Sequence, residues 1–394
     1  MNAYLSFVLV MIFTAVNCLT VTPPPPPPHV LVVGGSGYIG SRVCALLSSS
    51  GCTVTSLSRT GLRPKSFPPQ SSVHGRVIFK KHDVLSSSKL YLESKPDLVI
   101  SCVGNMRPSS DRSGFFGLNF NSTSLYLENY LPTSRIVELA SKLKCENFAY
   151  VSSSTLLLYG LAGALEGYVK GKKDAEDSIR SSFPKCCIVS PVWVYGGERF
   201  KVLGPLLDFV DGTFLVKGYN KFLRVLKENT ASGGVWAQDA LGEAFLTRPS
   251  RVEDVARCLA LGVMGGERGL EGRERMPLVD GSEWVERPED LVDGPEEIEE
   301  VSRSFGGEEM IRKLVEEYEM STRRNNDDDG KEVVVSLPPL EENFVQSTSG
   351  FGKPFEGAFE GMHQYLAPIL PSSAILGFFT GMIKYSIIYN VPPA

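Results

Sequence analysis

A doubly wound parallel α/β sheet is the fold class that this 394-residue sequence predicts. Three observations carry the prediction. Short apolar, β-branched runs alternate with helix-periodic segments between residues 29 and 190, and the first run ends in a cluster of glycines. An apolar share of 42% supplies enough side chains to cover such a sheet on both faces.

The elements follow in order. His29-Val30-Leu31-Val32-Val33 is almost continuously apolar, as a strand buried on both faces requires. Ser36 to Leu47 brings Ile39, Val43, Leu46 and Leu47 onto one helical face, and Gly51 closes the segment. Cys52–Leu57 reads as the second strand, Val77–Phe79 as the third and Asp97–Val103 as the fourth. A helix over about Ser134–Lys144 leads to a fifth strand, Phe148–Val151, and a helix over about Tyr168–Ser181 leads to a sixth, Cys186–Val189. Right-handed crossovers between parallel strands place these helices on both faces. Beyond Tyr195 the pattern weakens. A helix beginning at Arg251–Ala256, an extra strand at Met276–Val279 and a helix opened by Pro295, with Glu296 and Glu297 in its first turn, predict a small substrate-side cap that completes a domain over 29–305.

The flanks read differently. Residues 1–20 contain an apolar run, Tyr4–Val16, too short for a comfortable membrane span, and are expected to be a targeting segment, with an uncleaved anchor as the alternative. No Lys or Arg precedes Arg42, whereas mitochondrial presequences are Arg-rich, so the leader's chemistry points to secretory or plastid routing. Residues 21–28 form a polyproline spacer. Residues 306–350 turn acidic and irregular, with one helix over Glu308–Met320 and a solvated loop at Asn325–Gly330, and are expected to pack poorly. Residues 351–394 hold an amphipathic C-terminal helix in which Ile375, Leu376, Phe378, Phe379, Met382, Ile383, Ile387 and Ile388 recur at near-helical spacing. Such a helix requires an apolar partner through 373–390: a membrane interface, its own domain or another protein.

Charge and cysteine usage exclude some functions. A net charge of −5 without a basic stripe argues against a nucleic-acid partner, because that binding depends on Lys and Arg neutralising phosphates. The spacings of the eight cysteines and four histidines match no zinc or haem site, and most of the cysteines fall in apolar segments that suit reduced, buried thiols.

The turn Gly34-Gly35-Ser36-Gly37-Tyr38-Ile39-Gly40 lies between a predicted strand and a predicted helix, the context in which glycines cradle a dinucleotide diphosphate. Gly34 permits the tight turn, Gly37 the approach of the diphosphate and Gly40 the packing of helix on strand, while the helix N-terminus offers free N–H donors. About twenty residues on, an acid would hold a ribose hydroxyl. Here the chain reads Ser58-Arg59, which favours NADP over NAD as cofactor. Asp83-Val84 after the third strand is placed to meet the adenine, although Asp83 equally suits a helix N-cap, and Cys102-Val103-Gly104 after the fourth lines the cofactor's path.

Ser152-Ser153-Ser154 ends the fifth strand, and Tyr168 stands four residues before Lys172, on the same helical face. A nearby ammonium favours the phenolate and is expected to lower the tyrosine pKa, which equips it for proton transfer coupled to a cofactor's hydride transfer.

The glycine turn, Tyr150-Val151-Ser152-Ser153, the run Gly167 to Glu176 and the run Val189 to Gly196 together resemble the extended or atypical short-chain dehydrogenase/reductases, which have Rossmann folds. Within these the chain is most similar to an organellar group that includes coenzyme-Q-biosynthesis-associated proteins and a nucleotide-binding accessory subunit of respiratory complex I. The resemblance covers about residues 29–305. It implies that Tyr168 and Lys172 are the Tyr-x-x-x-Lys pair, Ser154 their serine partner, and Pro191 to Val194 part of the nicotinamide wall. It implies an oxidoreductase or isomerase acting on a hydroxyl or carbonyl of a small molecule such as a quinone intermediate. Because members of that group also serve as nucleotide-bound structural or assembly factors, that alternative stays open, as does the compartment, since the resemblance implies mitochondria. The family commonly has Arg-Pro-Gly where this chain has Ser190-Pro191-Val192, and the interval from the serines to Tyr168 is short.

Overall fold

The computed structural model describes residues 27–65, 67, 75–86, 89–106, 122–153, 166–191, 194–196, 250–265, 278–280, 283–285, 291–293, 298–299, 301–302, 308–322 and 332–338. The leader, all but the last two spacer residues, the loop at 325–330 and the C-terminal helix region lie outside them. No helix among the described residues is long and apolar enough to cross a membrane.

The core is a seven-stranded sheet in which every pairing is parallel. It contains β1 (His29–Val33), β2 (Thr53–Ser58), β3 (Val77–Lys81), β5 (Leu98–Ser101), β6 (Asn147–Val151), β7 (Cys186–Ser190) and β12 (Leu291–Asp293), in the order β12-β7-β6-β5-β1-β2-β3. The remaining strands pair outside it: β4 (Leu90–Leu92) with β13 (Val333–Val335), β8 (Val194–Tyr195) with β9 (Ser250–Arg251), and β10 (Leu278–Asp280) with β11 (Glu283–Val285). Strand order runs outward in opposite directions from β1 and β5, so the crevice at their carboxyl ends is a topological switch point.

Alternate side chains of β1 serve opposite layers. Val30 and Val32 pack with α1 (Tyr38–Ser49) and α4 (Val252–Gly265), whereas Leu31 and Val33 pack with α2 (Ser122–Lys142) and α3 (Glu166–Ser182). The helices thus cover both faces of the sheet, as the sequence predicts. The α2–α3 contact is a close one, because Gly171 lies where a Cβ would stand 2.7 Å from the Tyr126 carbonyl oxygen. Small residues at such positions let helix backbones approach.

Four differences from the sequence reading have local causes. Helix α2 starts at Ser122 rather than near Ser134, and it accommodates Pro132 in its interior, where proline ordinarily marks a break. The strand expected at Met276–Val279 is β10, which pairs antiparallel with β11 and not with the main sheet. The short segment Leu291–Asp293 takes the sheet edge beside β7 instead, with Val292 fully buried. The acidic segment is also better packed than its composition implies. Its helix α5 (Glu308–Thr322) buries Ile311 and Val315 in the layer of α1 and α4, and Leu337, just past β13, is buried in the opposite layer. Arg135 and Lys142 of α2 fasten this strap by donating to the carbonyl oxygens of Pro338 and Ser336. The charges of α5 lie on the outer side of an amphipathic helix, so composition alone concealed its apolar stripe.

Candidate active site

Strand β1 delivers the glycine turn to the switch point. Gly34 adopts φ +84°, a left-handed conformation that favours glycine, and its amide donates to the Leu57 carbonyl at 2.8 Å. A Cβ on Gly34 would stand 3.0 Å from the Cys102 carbonyl oxygen, so the ends of β1 and β5 meet here at backbone distance. Gly37 is the N-cap of α1 and supplies no side-chain cap, and the first turn of the helix carries no acid. That leaves the helix N-terminus with donors and positive potential for an anion. Gly40 presses α1 onto the turn, since a Cβ there would lie 2.8 Å from the Gly35 Cα. The residues present fit a dinucleotide diphosphate.

The rim of this cradle is tied to its neighbours. The Ser36 hydroxyl donates to the Leu62 carbonyl at 2.6 Å and lies 3.0 Å from the Ser58 hydroxyl, which also accepts the Gly61 amide. Ser36 therefore fixes the loop after β2, and Arg59 projects from that loop into solvent. Tyr38 reaches across to donate to the Gly196 carbonyl at 2.9 Å, and Ile39 packs against the core. Asp83 is exposed and accepts the Leu85 amide at 3.0 Å in a local turn, and β4 is the next described element, so Asp83 does not cap a helix. The Val84 side chain is turned into the core. Pro191 is buried immediately after β7, and Val194 is half-buried in β8.

The second half of the site stands at the carboxyl ends of β5 and β6. Lys172 of α3 is only 2% exposed, and its ammonium donates to the carbonyl oxygens of Val103 and Val151, both at 2.9 Å. It lies 4.7 Å from the Tyr150 ring centroid and 6.0 Å from that of Tyr168. A Cβ on Gly104 would meet the Lys172 Nζ at 2.6 Å, so that position must stay bare for the lysine to pass. Burial pulls the Lys172 ammonium down to about 7, against the opposing influence of Cys102 and Glu176. Burial pushes the Cys102 thiol up to about 12, with Lys172 opposing.

Tyr168 departs from expectation in direction. Burial pushes its phenol up to about 12, and the group opposing that rise is the Ser153 hydroxyl. Desolvation outweighs the ammonium whose influence the sequence reading put first. Ser153 is buried with its hydroxyl toward Tyr168, whereas Ser154 lies outside the described residues.

Sequence reasoning missed three residues that shape this site. Asn129 of α2 is fully buried and clamps the chain after β5, accepting the Asn105 amide at 3.0 Å and donating to its carbonyl at 2.8 Å. Its signal was a polar side chain on the apolar stripe with Leu125 and Thr133. Glu176 is 6% exposed and accepts a hydrogen bond from Ser152, and its spacing of four from Lys172 was legible. Ser153 was overlooked in favour of its neighbour.

The model of a family described as NAD dependent epimerase/dehydratase family matches residues 30–174, from β1 into α3. An uncharacterized chloroplastic protein of Arabidopsis thaliana is 27% identical over 234 residues, covering 58% of this chain and 69% of that protein. Among solved structures, the Bordetella bronchiseptica enzyme WbmH in complex with NAD+ is 18% identical, with 60% of this chain and 72% of that chain covered and a TM-score of 0.35. The oxidoreductase ylbE from Lactococcus lactis is 15% identical, with 43% and 72% covered and a TM-score of 0.30. The stretch similar to the NAD dependent epimerase/dehydratase family thus carries both the glycine turn and the Tyr168–Lys172 pair.

Proposed function

We propose that the chain binds a nicotinamide dinucleotide at Gly34–Gly40 and uses Tyr168 and Lys172 to move a proton to or from a hydroxyl or carbonyl oxygen of a small molecule. The observation that carries this reading is the buried Lys172 ammonium, held by the ends of β5 and β6 beside Tyr168, on the same sheet edge as the glycine cradle. When bound, the nicotinamide supplies the hydride or accepts it. Tyr168, a neutral phenol at pH 7 in this environment, suits the acid role and would donate its proton to a carbonyl oxygen of the substrate. Lys172 then stabilises the resulting phenolate. Ser153, or Ser154 beyond the described residues, holds the substrate oxygen.

The absence of an acid at Ser58-Arg59 and the exposure of the Arg59 side chain support NADP over NAD. The chloroplastic relative and the leader's lack of basic residues support a plastid over a mitochondrion. The resemblance to the coenzyme-Q-associated group supports a quinone intermediate as substrate. A second reading, in which bound nucleotide stabilises a structural or assembly factor, is supported by the resemblance to the organellar group and not by the site's geometry.

The test is Tyr168→Phe together with titration of NADPH and NADH. Catalysis predicts retained nucleotide affinity with loss of the biological activity. Unchanged activity supports the structural reading, and failure to bind either nucleotide overturns both. Arg59→Ala is expected to erase the preference for NADPH without changing stability, because the side chain is exposed.

A further inference from the structure

A buried carboxylate lies one helical turn beyond the proposed proton-transfer pair. Glu176 is 6% exposed, and a carboxylate at that depth requires partners. One oxygen accepts the Ser152 hydroxyl, and the other lies 3.3 Å from the Arg180 guanidinium. Tyr168, Lys172, Glu176 and Arg180 follow at intervals of four along α3 and so form one stripe, which runs from the site toward solvent. Ser152 is the residue between Val151, whose carbonyl receives the Lys172 ammonium, and Ser153, whose hydroxyl faces Tyr168. A carboxylate that grips Ser152 therefore also fixes the backbone on which the lysine and the serine depend.

We propose that Glu176 is a positioning residue: it anchors the end of β6 through Ser152 and supplies a buried negative charge that favours the ammonium form of Lys172. This deepens the reading of Tyr168 and Lys172 given above and rests on it. Among the described residues, the groups that face Lys172 are Cys102 just after β5, Asn129 from α2, Tyr150 from β6, and Tyr168 and Glu176 from its own helix. The Cys102 thiol is neutral at pH 7, and neither tyrosine ionises there, so Glu176 is the one anion in this set. Arg180 faces Glu176 from the outer side and moderates its field, and the exposed Asp177 shares that guanidinium.

The titration of Lys172 tests this without reference to any substrate. In the full chain labelled at the lysine ε-carbons, the Lys172 resonance is assigned by its loss in Lys172→Met and followed from pH 5 to 10. Glu176→Gln, which keeps the volume and can still accept from Ser152, is expected to lower the Lys172 midpoint by about one unit, as removal of a nearby opposite charge should. Arg180→Gln is expected to raise it, and because Arg180 is partly exposed this variant tests the idea even if Glu176→Gln fails to fold. Midpoints that stay at the wild-type value in the folded variants overturn the proposal. Where wild-type protein turns over a carbonyl substrate with NADPH, the alkaline limb of its pH profile should move with the Lys172 midpoint. A moving midpoint in a protein that binds no nucleotide would instead refute the proposed function and leave the role of Glu176 in setting the lysine's charge intact.

Discussion

Gly40→Ala puts the dinucleotide reading under direct strain. The added methyl would lie 2.8 Å from the Gly35 Cα and closer still to the Gly34 carbonyl oxygen, and both are backbone atoms that cannot rotate away. Relief to an ordinary carbon–carbon contact of about 3.5 Å requires α1 to retreat from the turn by about 0.7 Å. Overpacking of this kind costs about 1–3 kcal/mol, and the better helix propensity of alanine returns about 1 kcal/mol. A net loss of up to about 2 kcal/mol corresponds to a melting temperature lower by up to about 4–8 °C for a domain of this size. The effect on affinity should be larger in proportion, because the same retreat withdraws the helix N-terminal amides from the diphosphate. Losing one charge-assisted hydrogen bond, worth about 1.5–3 kcal/mol, weakens nucleotide binding roughly tenfold or more. The assay is a fluorescence titration with NADPH beside a thermal melt. A variant that binds NADPH as tightly as wild type would refute the claim that this turn holds the diphosphate.

Two further outcomes follow from other parts of the fold. Ile311→Ala, in the buried stripe of α5, should cost about 2–4 kcal/mol in urea unfolding yet leave NADPH affinity unchanged, and wild-type stability in this variant would restore the view of a loose acidic segment. Burial lowers the pKa of His29, whose ring nitrogens contact Thr55 and Ser94 at 2.8 and 2.9 Å, so the unfolded state binds a proton more readily than the folded state. Its contribution is present above the unfolded value of about 6.5 and is lost as pH falls from there through the lower folded value. Urea midpoints measured at pH 7.5 and 5.5 should fall with acid, and His29→Gln should flatten that difference.

The sheet was legible because its inner strands are long enough to show themselves. Val30 to Val33 and Cys187 to Val189 are continuous apolar runs, the signature of strands covered on both faces. Leu291–Asp293 has too few residues to display a period, and only its pairing with β7 reveals it as an edge strand. Leu90–Leu92 and Val333–Val335 form a ladder between two three-residue segments separated by most of the chain, and no local pattern specifies such a partner. In the site, Tyr168 and Lys172 were legible through spacing, and the structure places them beside each other. The direction of the Tyr168 shift was not legible, because desolvation depends on everything packed around the ring.

The strap formed by α5 and β13 has a consequence for how the protein is made. Val333 pairs with Leu92, and Ile311 settles on helices formed by residues 38–49 and 252–265, so these pieces of the packed body emerge long after β4 and the helix over 38–49. At ribosomal speeds of about 5–20 residues per second, the stretch between Leu92 and Val333 takes on the order of 10–50 s to synthesise. Throughout that interval β4 has an open edge, and the apolar stripe of α1 awaits its cover. A nascent chain of this protein should therefore stay chaperone-dependent and protease-sensitive until its final third has left the ribosome.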